Sequence, residues 1–330
     1  MQQFAYKSYR RPLHTSLRTA HGMWREREGI IVRLEDESGR VGFGEIAPIP
    51  WFGTETLVEA EELCRKFGDK VEAAMLDNVP ERFGCVRFAL AQARGPQDGS
   101  AAPNRLPVAA LLPAGHEAVS ILKGKLEAGF LAFKWKVGVG NVDDELVLLD
   151  DLLEELPAHA KLRLDANGAW NHRQAARWLE RCADRPVEFI EQPVAPAEED
   201  TLLGLAEDFP VQLALDESVV RLAEARRWQG LGWPGLFVIK PALAGPLAEL
   251  TEWISSTKAD VVISSAIETV LGRSAILHAA LSGTLTQRAL GFGPGAVFGD
   301  RRWDGPVIGP VADASCIAVN PGEELWIALN

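Results

Sequence analysis

Leu162-Arg163-Leu164-Asp165-Ala166-Asn167 is a short, largely apolar run that ends in an acid, and four other stretches of the chain end in a charge in the same way. They are Phe133-Lys134-Trp135-Lys136, Phe189-Ile190-Glu191-Gln192-Pro193, Ala214-Leu215-Asp216-Glu217-Ser218 and Val238-Ile239-Lys240-Pro241. The charges at 136, 165, 191, 216 and 240 stand 29, 26, 25 and 24 residues apart. That interval suits one strand, one helix and two loops, the repeat of a (β/α) barrel. A bare charge at the end of a core strand is costly to bury. At the carboxyl rim of a parallel barrel the cost disappears, because that rim is where ligands meet the strands.

Outward from this ring, the chain alternates from Leu106 onward. Strand-like runs fall near 107–112, 131–137, 161–165, 187–191, 212–216, 235–240, 260–264 and 288–292. Helical patterns fall near 115–128, 141–155, 171–182, 198–207, 220–229, 246–257 and 270–282. The alternation predicts an α/β fold, a modified (β/α) TIM-type barrel over 106–300, although strand count alone leaves closure open. The first hundred residues have another texture. Residues 4–11 and 28–35 read as strands, and Arg40 to Pro48 continues them through a glycine turn. Residues 54–67 and 81–93 read as helices, the first with a capped start at Thr54-Glu55-Thr56-Leu57. Strands followed by helices predict an α+β capping domain over 1–100, ending in the polar linker Arg94-Gly95-Pro96-Gln97-Asp98-Gly99-Ser100. The final stretch, Ala314 to Leu329, reads as strand again and is expected to complete the capping domain over about 310–330.

A formal charge of −12 over 330 residues argues against nucleic-acid binding, which draws its affinity from clustered Lys and Arg. It leaves an anionic substrate open, since a dication and local lysines reverse the sign within a cleft. Cys64, Cys85, Cys182 and Cys316 form no C-x-x-C pair and read as apolar fillers in a reducing compartment. No apolar run approaches the roughly 20 residues needed to span a bilayer. The opening Met1-Gln2-Gln3-Phe4-Ala5-Tyr6-Lys7 has no signal-peptide pattern. A cytoplasmic protein with no membrane and no obligate protein partner is the expectation.

Side chains alternate along a strand, so Lys134 and Lys136 share one face while Phe133, Trp135 and Val137 share the other. With the aromatic face on the helices, both lysines point into the barrel mouth. The plainer alternative, a solvated edge strand, has no place in a closed barrel. Asp165, Glu191 and Asp216 end three successive strands. Singly, each reads as a helix cap or loop anchor. Three in register point to a hard divalent cation, Mg2+ with Mn2+ as substitute, whose oxygen-ligand preference removes their repulsion. Lys240 ends the sixth strand, roughly across the mouth from Lys136. A lysine close to a dication can surrender its proton and serve as a base. Two such lysines would flank the carbon beside the carboxylate of a small-molecule substrate, with the cation balancing the enediolate charge. Arg163, two residues before Asp165, is a candidate for binding an anionic substrate group. Ser264 and Ser265 are candidates for holding a carboxylate or for capping the next helix. Gly293, in the turn 291–295, is a candidate for close approach of a ligand. Asn167 and Glu217 are expected to hydrogen-bond the metal ligands.

Together these residues resemble the enolase superfamily, in its muconate-lactonizing-enzyme-like subgroup, over nearly the whole chain. The K-x-K of the second strand falls on Lys134 and Lys136, the three metal acids on Asp165, Glu191 and Asp216, and the sixth-strand lysine on Lys240. Within the subgroup, the stretch from Leu162 to Trp170, Phe189 to Pro193, and Ser264-Ser265 with Glu268 resemble the o-succinylbenzoate synthase family. That resemblance implies a hydro-lyase acting on 2-succinyl-6-hydroxy-2,4-cyclohexadiene-1-carboxylate in menaquinone or phylloquinone synthesis. It implies Lys136 as base and then acid, Lys240 steadying the enediolate from the opposite face, and Lys134 tuning Lys136. It also implies capping loops near Arg18 to Gly22 and Pro48 to Thr54 closing over the substrate, with Trp51 or Phe52 as an apolar wall.

Two rivals stand beside this reading. An N-acylamino-acid racemase or another enzyme of the subgroup would use the same ring of charges. Dipeptide epimerases carry Asp-x-Asp on the eighth strand, where this chain has Gly291-Phe292-Gly293, which disfavours a cationic dipeptide. A non-catalytic carboxylate-binding barrel would be marked by loss of a metal acid or of Lys136, and all are present.

Overall fold

The computed structural model of the chain describes residues 1–19, 22–95, 104–283, 285–293 and 296–329. Residues 96–100 of the expected linker, 20 and 21 of the first capping loop, and 294 and 295 of the glycine turn lie outside them. Two long antiparallel strands, β1 (Gln2–Thr19) and β2 (Gly22–Glu35), open the chain, and β3 (Val41–Ile46) completes the meander. The sequence of β3 explains how it is covered. A Cβ at Gly42 or Gly44 would fall 1.9 Å from the carbonyl oxygen of Ala93 or Ala89, so the glycines let the helix Gly84–Arg94 lie directly on the sheet. The helix Leu57–Phe67 starts at Thr56, whose hydroxyl accepts the Glu59 N–H while Glu59 accepts the Thr56 N–H, a full capping box.

Ala314 to Leu329, expected as strand, is instead a short 3-10 turn (Ala314–Cys316) and a helix, Pro321–Ala328. Proline in the first helical turn with Glu323 and Glu324 beside it is a start signal. The run Leu325-Trp326-Ile327-Ala328-Leu329 has no alternation that separates helix from strand. This helix packs on the N-terminal sheet: Leu325 shares a core with Tyr9, Ile31 and Phe43, and Lys7 Nζ donates to the Trp326 carbonyl at 2.9 Å.

The barrel strands follow one another in space as in sequence: Ala109–Leu112, Ala132–Lys136, Lys161–Asp165, Val187–Glu191, Leu213–Leu215, Leu236–Ile239 and Val261–Ile263. All pairings are parallel. The eighth segment forms no strand; single bridges from Val108 to Leu290 and from Ser264 to Gly291 join it to both neighbours and close the ring. Outward residues pack under the helices, as where buried Trp135 meets Trp178 at 6.1 Å between ring centroids. Burial of each such ring contributes on the order of 2–3 kcal/mol. Phe189, Ala214, Leu236, Val238 and Val262 form a separate apolar cluster, the inward residues of successive strands. Among the described residues no helix is long and apolar enough to cross a membrane.

Candidate active site

Register places the charges on one rung. Lys136 pairs with Asp165, and Asp165 with Glu191, across adjacent parallel strands. Paired residues point the same way, so all three side chains enter the mouth together. Asp216 and Lys240 each follow the last residue of their strands. The order around the rim is therefore Lys136, Asp165, Glu191, Asp216, Lys240. The three acids are at most 3% exposed.

Lys134 Nζ reaches between two of the acids, 2.8 Å from Asp165 Oδ2 and 2.8 Å from Glu191 Oε1. Lys136 Nζ lies 2.7 Å from Asp165 Oδ2 and also donates to Asn167 Oδ1. Lys240 Nζ donates to Asp216 Oδ1 and sits 4.3 Å from the centre of the Phe52 ring, a cation–π contact from the capping loop. Asn167 Nδ2 donates to Glu217 Oε1 at 2.8 Å. Lys134, Lys136, Asp165, Glu191, Asn167 and Glu217 thus form one network, with the Lys240–Asp216 pair beside it.

Neutralisation in that network is uneven. Burial opposes ionisation of Asp165, but Lys134 and Lys136 hold its carboxyl well below the usual range. Burial, then Asp165, pushes Glu191 up to about 7. Burial also raises Asp216 and Glu217, against the pull of Lys240. Burial disfavours the Lys134 ammonium, yet Asp165 and Glu191 raise it well above the ordinary lysine value. Ammonium groups do the neutralising here: among the described residues no three His, Cys, Asp or Glu are already drawn around a metal position. The donor chemistry fits a hard dication all the same. Asp165, Glu191 and Asp216 are buried at successive strand ends, close enough for Asp165 to repel the other two, and burial with that repulsion leaves Glu191 and Asp216 short of positive charge.

Other sequence candidates stand elsewhere. Arg163 shares the inward face of Asp165 but lies two residues deeper, about 6.6 Å down the strand. There it donates from Nε to Glu188 at 2.7 Å and from Nη1 to the Ala289 carbonyl at 2.9 Å, stacked on Phe189. It belongs to the barrel floor and not to the mouth. Ser264 donates to the Gly291 carbonyl at 3.3 Å, and Ser265 to both Glu268 oxygens at 3.1 Å. A Cβ at Gly293 would fall 2.4 Å from Leu111 Cγ, so packing against Leu111 is what requires that glycine. Sequence reasoning passed over Gln192. Its Oε1 accepts the N–H groups of Asp216 and Ser218 at 3.0 and 3.1 Å, and its Nε2 donates to Ser218 Oγ at 2.8 Å, fixing the turn that carries Asp216. An amide following a strand-end acid was the available signal.

A closed barrel under an α+β cap, with lysines on both sides of buried strand-end acids, defines an enzyme of the enolase class. Residues 117–287 match the model of the enolase C-terminal domain-like family, and residues 1–95 that of the MenC N-terminal domain. The o-succinylbenzoate synthase of Thermosynechococcus vestitus is 41% identical over 299 residues, 88% of this chain and 92% of the relative. That of Edwardsiella ictaluri is 32% identical over 296 residues, 85% of this chain and 86% of the relative. The chain belongs to the o-succinylbenzoate synthase family of the enolase superfamily. A crystal structure of o-succinylbenzoate synthase from Thermosynechococcus elongatus, complexed with Mg in the active site, superposes with a TM-score of 0.86 at 36% identity and covers 99% of both chains. An N-succinyl Arg/Lys racemase from Bacillus cereus shares the fold, with a TM-score of 0.77 at 20% identity over 98% of this chain and 97% of its own.

Proposed function

We propose that the protein is a hydro-lyase that dehydrates 2-succinyl-6-hydroxy-2,4-cyclohexadiene-1-carboxylate to o-succinylbenzoate, in menaquinone or phylloquinone biosynthesis. The rim order of lysine, three buried acids and lysine carries this reading. Asp165, Glu191 and Asp216 would hold Mg2+, and Mn2+ would substitute for it. When bound, the cation supplies positive charge that stabilises the anion left by loss of the proton beside the substrate carboxylate. Lys136 Nζ removes that proton, and the C–H electron pair moves into the bond to the carboxyl carbon, giving an enediolate whose charge rests on the two carboxyl oxygens. Re-formation of the carboxylate drives the pair into the ring and breaks the C–O bond. The hydroxide leaves with the proton held on Lys136 Nζ, so the departing molecule is water and the amine is restored. Using one base on one face makes this a syn elimination.

Lys240 Nζ faces the reacting carbon from the other side and steadies the negative charge. Lys134 Nζ ties Asp165 to Glu191 and sets the charge felt by Lys136, while Asn167, anchored by Glu217, orients the Lys136 ammonium. Ser264 and Ser265 are kept as partners for a substrate carboxylate, Ser265 by releasing Glu268. Arg163 and Gly293 support the site through packing. Residues 1–100 with about 310–330 form the capping domain, and 106–300 the catalytic barrel. Four buried free cysteines suit the reducing cytoplasm.

Lysines on both flanks also suit racemisation of an N-acylamino acid, the second reading. Purified enzyme with Mg2+, given the cyclohexadiene substrate and, separately, an N-succinylamino acid, decides between them. Formation of o-succinylbenzoate supports dehydration; racemisation without it overturns the first reading.

A further inference from the structure

Arg27 is buried in the capping sheet, and the acceptors it finds among the described residues are five main-chain carbonyls. One belongs to its neighbour Glu28. Two lie at the root of the loop that carries Phe52: Nη1 donates to Pro48 O at 2.7 Å and Nη2 to Ala47 O. Two lie in the loop that follows Ser264-Ser265: Nε donates to Ile267 O at 3.0 Å and Nη2 to Ala266 O at 3.5 Å. A planar fork with five N–H groups can serve two loops at once, which an ammonium on a flexible stem cannot.

Both loops need such a holder. A solvent-open groove of about 360 Å³ with both charged and apolar walls, among them Glu26, Glu28, Trp24 and Trp51, separates β2 from the segment that runs on from Pro48, so that segment is only partly packed on the sheet. Ile267 holds φ at 59°, a left-handed conformation that a β-branched residue adopts only when its surroundings impose it. A second fastening joins the same two segments farther from the mouth: Glu45, two residues before Ala47, accepts the N–H groups of Thr269 and Gly272, each at 2.9 Å, at the start of the helix Val270–Leu281. Arg27 adds the link that reaches the Pro48 end of the Phe52 loop, which Glu45 does not touch.

We propose that Arg27 is a positioning residue for the reaction. Its guanidinium yokes the root of the Phe52 loop to the loop after Ser264-Ser265. That link holds the phenyl ring against Lys240 and the serine turn at the mouth in one arrangement, 240 positions apart in sequence between Arg27 and Ile267. The inference rests on the dehydration reading.

The test compares wild type with Arg27→Met, Arg27→Lys and Arg27→Ala. Loosened loops are expected to lower kcat/KM at least about tenfold in Arg27→Met and in Arg27→Lys, since small misplacements of reacting groups are costly. Amide hydrogen exchange in the metal-free, substrate-free proteins is expected to quicken in 47–53 and 264–269 while the barrel strands keep their protection. Guanidinium ion at millimolar concentration is expected to restore part of the activity of Arg27→Ala. Wild-type kcat/KM in Arg27→Met or Arg27→Lys overturns the proposal. So does faster exchange spread evenly over the chain without guanidinium rescue. If Arg27→Met does not fold, Arg27→Lys decides by the same two readouts. Failure of the wild-type enzyme on the cyclohexadiene would instead sink the dehydration reading, and the exchange result would still judge the yoke.

Discussion

The barrel carries charge at its floor and at its mouth, and the two layers use the same residue types to opposite ends. At the floor, Glu188 receives Arg163 at 2.7 Å, Arg288 at 2.8 Å and Lys161 at 3.4 Å, and Arg288 also pairs with Asp260. Burial alone would raise Glu188, but Arg163 leads the cations that hold it below the ordinary carboxylate range. At the mouth the lysines hold down only Asp165; burial outweighs them at Glu191, Asp216 and Glu217, which are all raised. A cluster with cations to spare is a fastening. A cluster of acids short of positive charge is poised to bind a cation, and such imbalance marks functional sites.

The comparison breaks most sharply at Lys136. Lys136→Ala is expected to lower kcat by about 10³-fold, within the range for loss of an acid–base group, with the thermal midpoint little changed. Near-normal turnover by steady-state kinetics would remove Lys136 from its role. Removal of metal with a chelator is expected to abolish dehydration, with recovery on adding Mg2+ or Mn2+; undiminished turnover in chelator would refute the cation's part. Asp216→Asn is expected to weaken Mg2+ binding by at least about tenfold, a loss of roughly 1.4 kcal/mol. Unchanged affinity in calorimetry would exclude Asp216 from the ligand set.

At the floor the expectation reverses. Glu188→Gln leaves the Arg163 guanidinium buried without its counter-charge, which is expected to lower stability by about 3 kcal/mol while leaving Mg2+ affinity unchanged. Denaturant titration beside calorimetry measures both quantities. The smallest effect is in pH. Because the folded-state value of Glu188 lies below its unfolded value near 4.5, its stabilisation is present above that pH and is lost as pH falls through the folded value. Glu188→Gln should therefore flatten the acid limb of a stability–pH curve below about 4.5. An unchanged limb would mean that other acids carry it.

Much of the mouth could be read directly from the chain. Alternation put Lys134 and Lys136 on one face and Trp135 on the other, and the interval between charges put one at the end of each strand. Arg163 shows where such reasoning stops. Its face followed from alternation, but its depth depends on the stagger of strands and on Glu188 and Ala289 arriving from other segments. The C-terminal helix escaped because a continuous apolar run carries no period, although Pro321 with two following glutamates announced it. Ser265 and Gly293 were ambiguous for the same kind of reason. A hydroxyl or a glycine takes its meaning from its neighbour, here Glu268 and Leu111.

The sequence alone determined which chemical groups are present, the repeat that sets them around a ring, and the face from which each projects. These follow from covalent geometry acting over a few residues. Tertiary structure alone decided which groups meet: that Lys134 bridges two acids, that Arg163 sinks to the floor, and that Arg27 reaches loops far along the chain. Those outcomes depend on register and on long-range closure, where the partner's position is set by packing of the whole barrel and its cap.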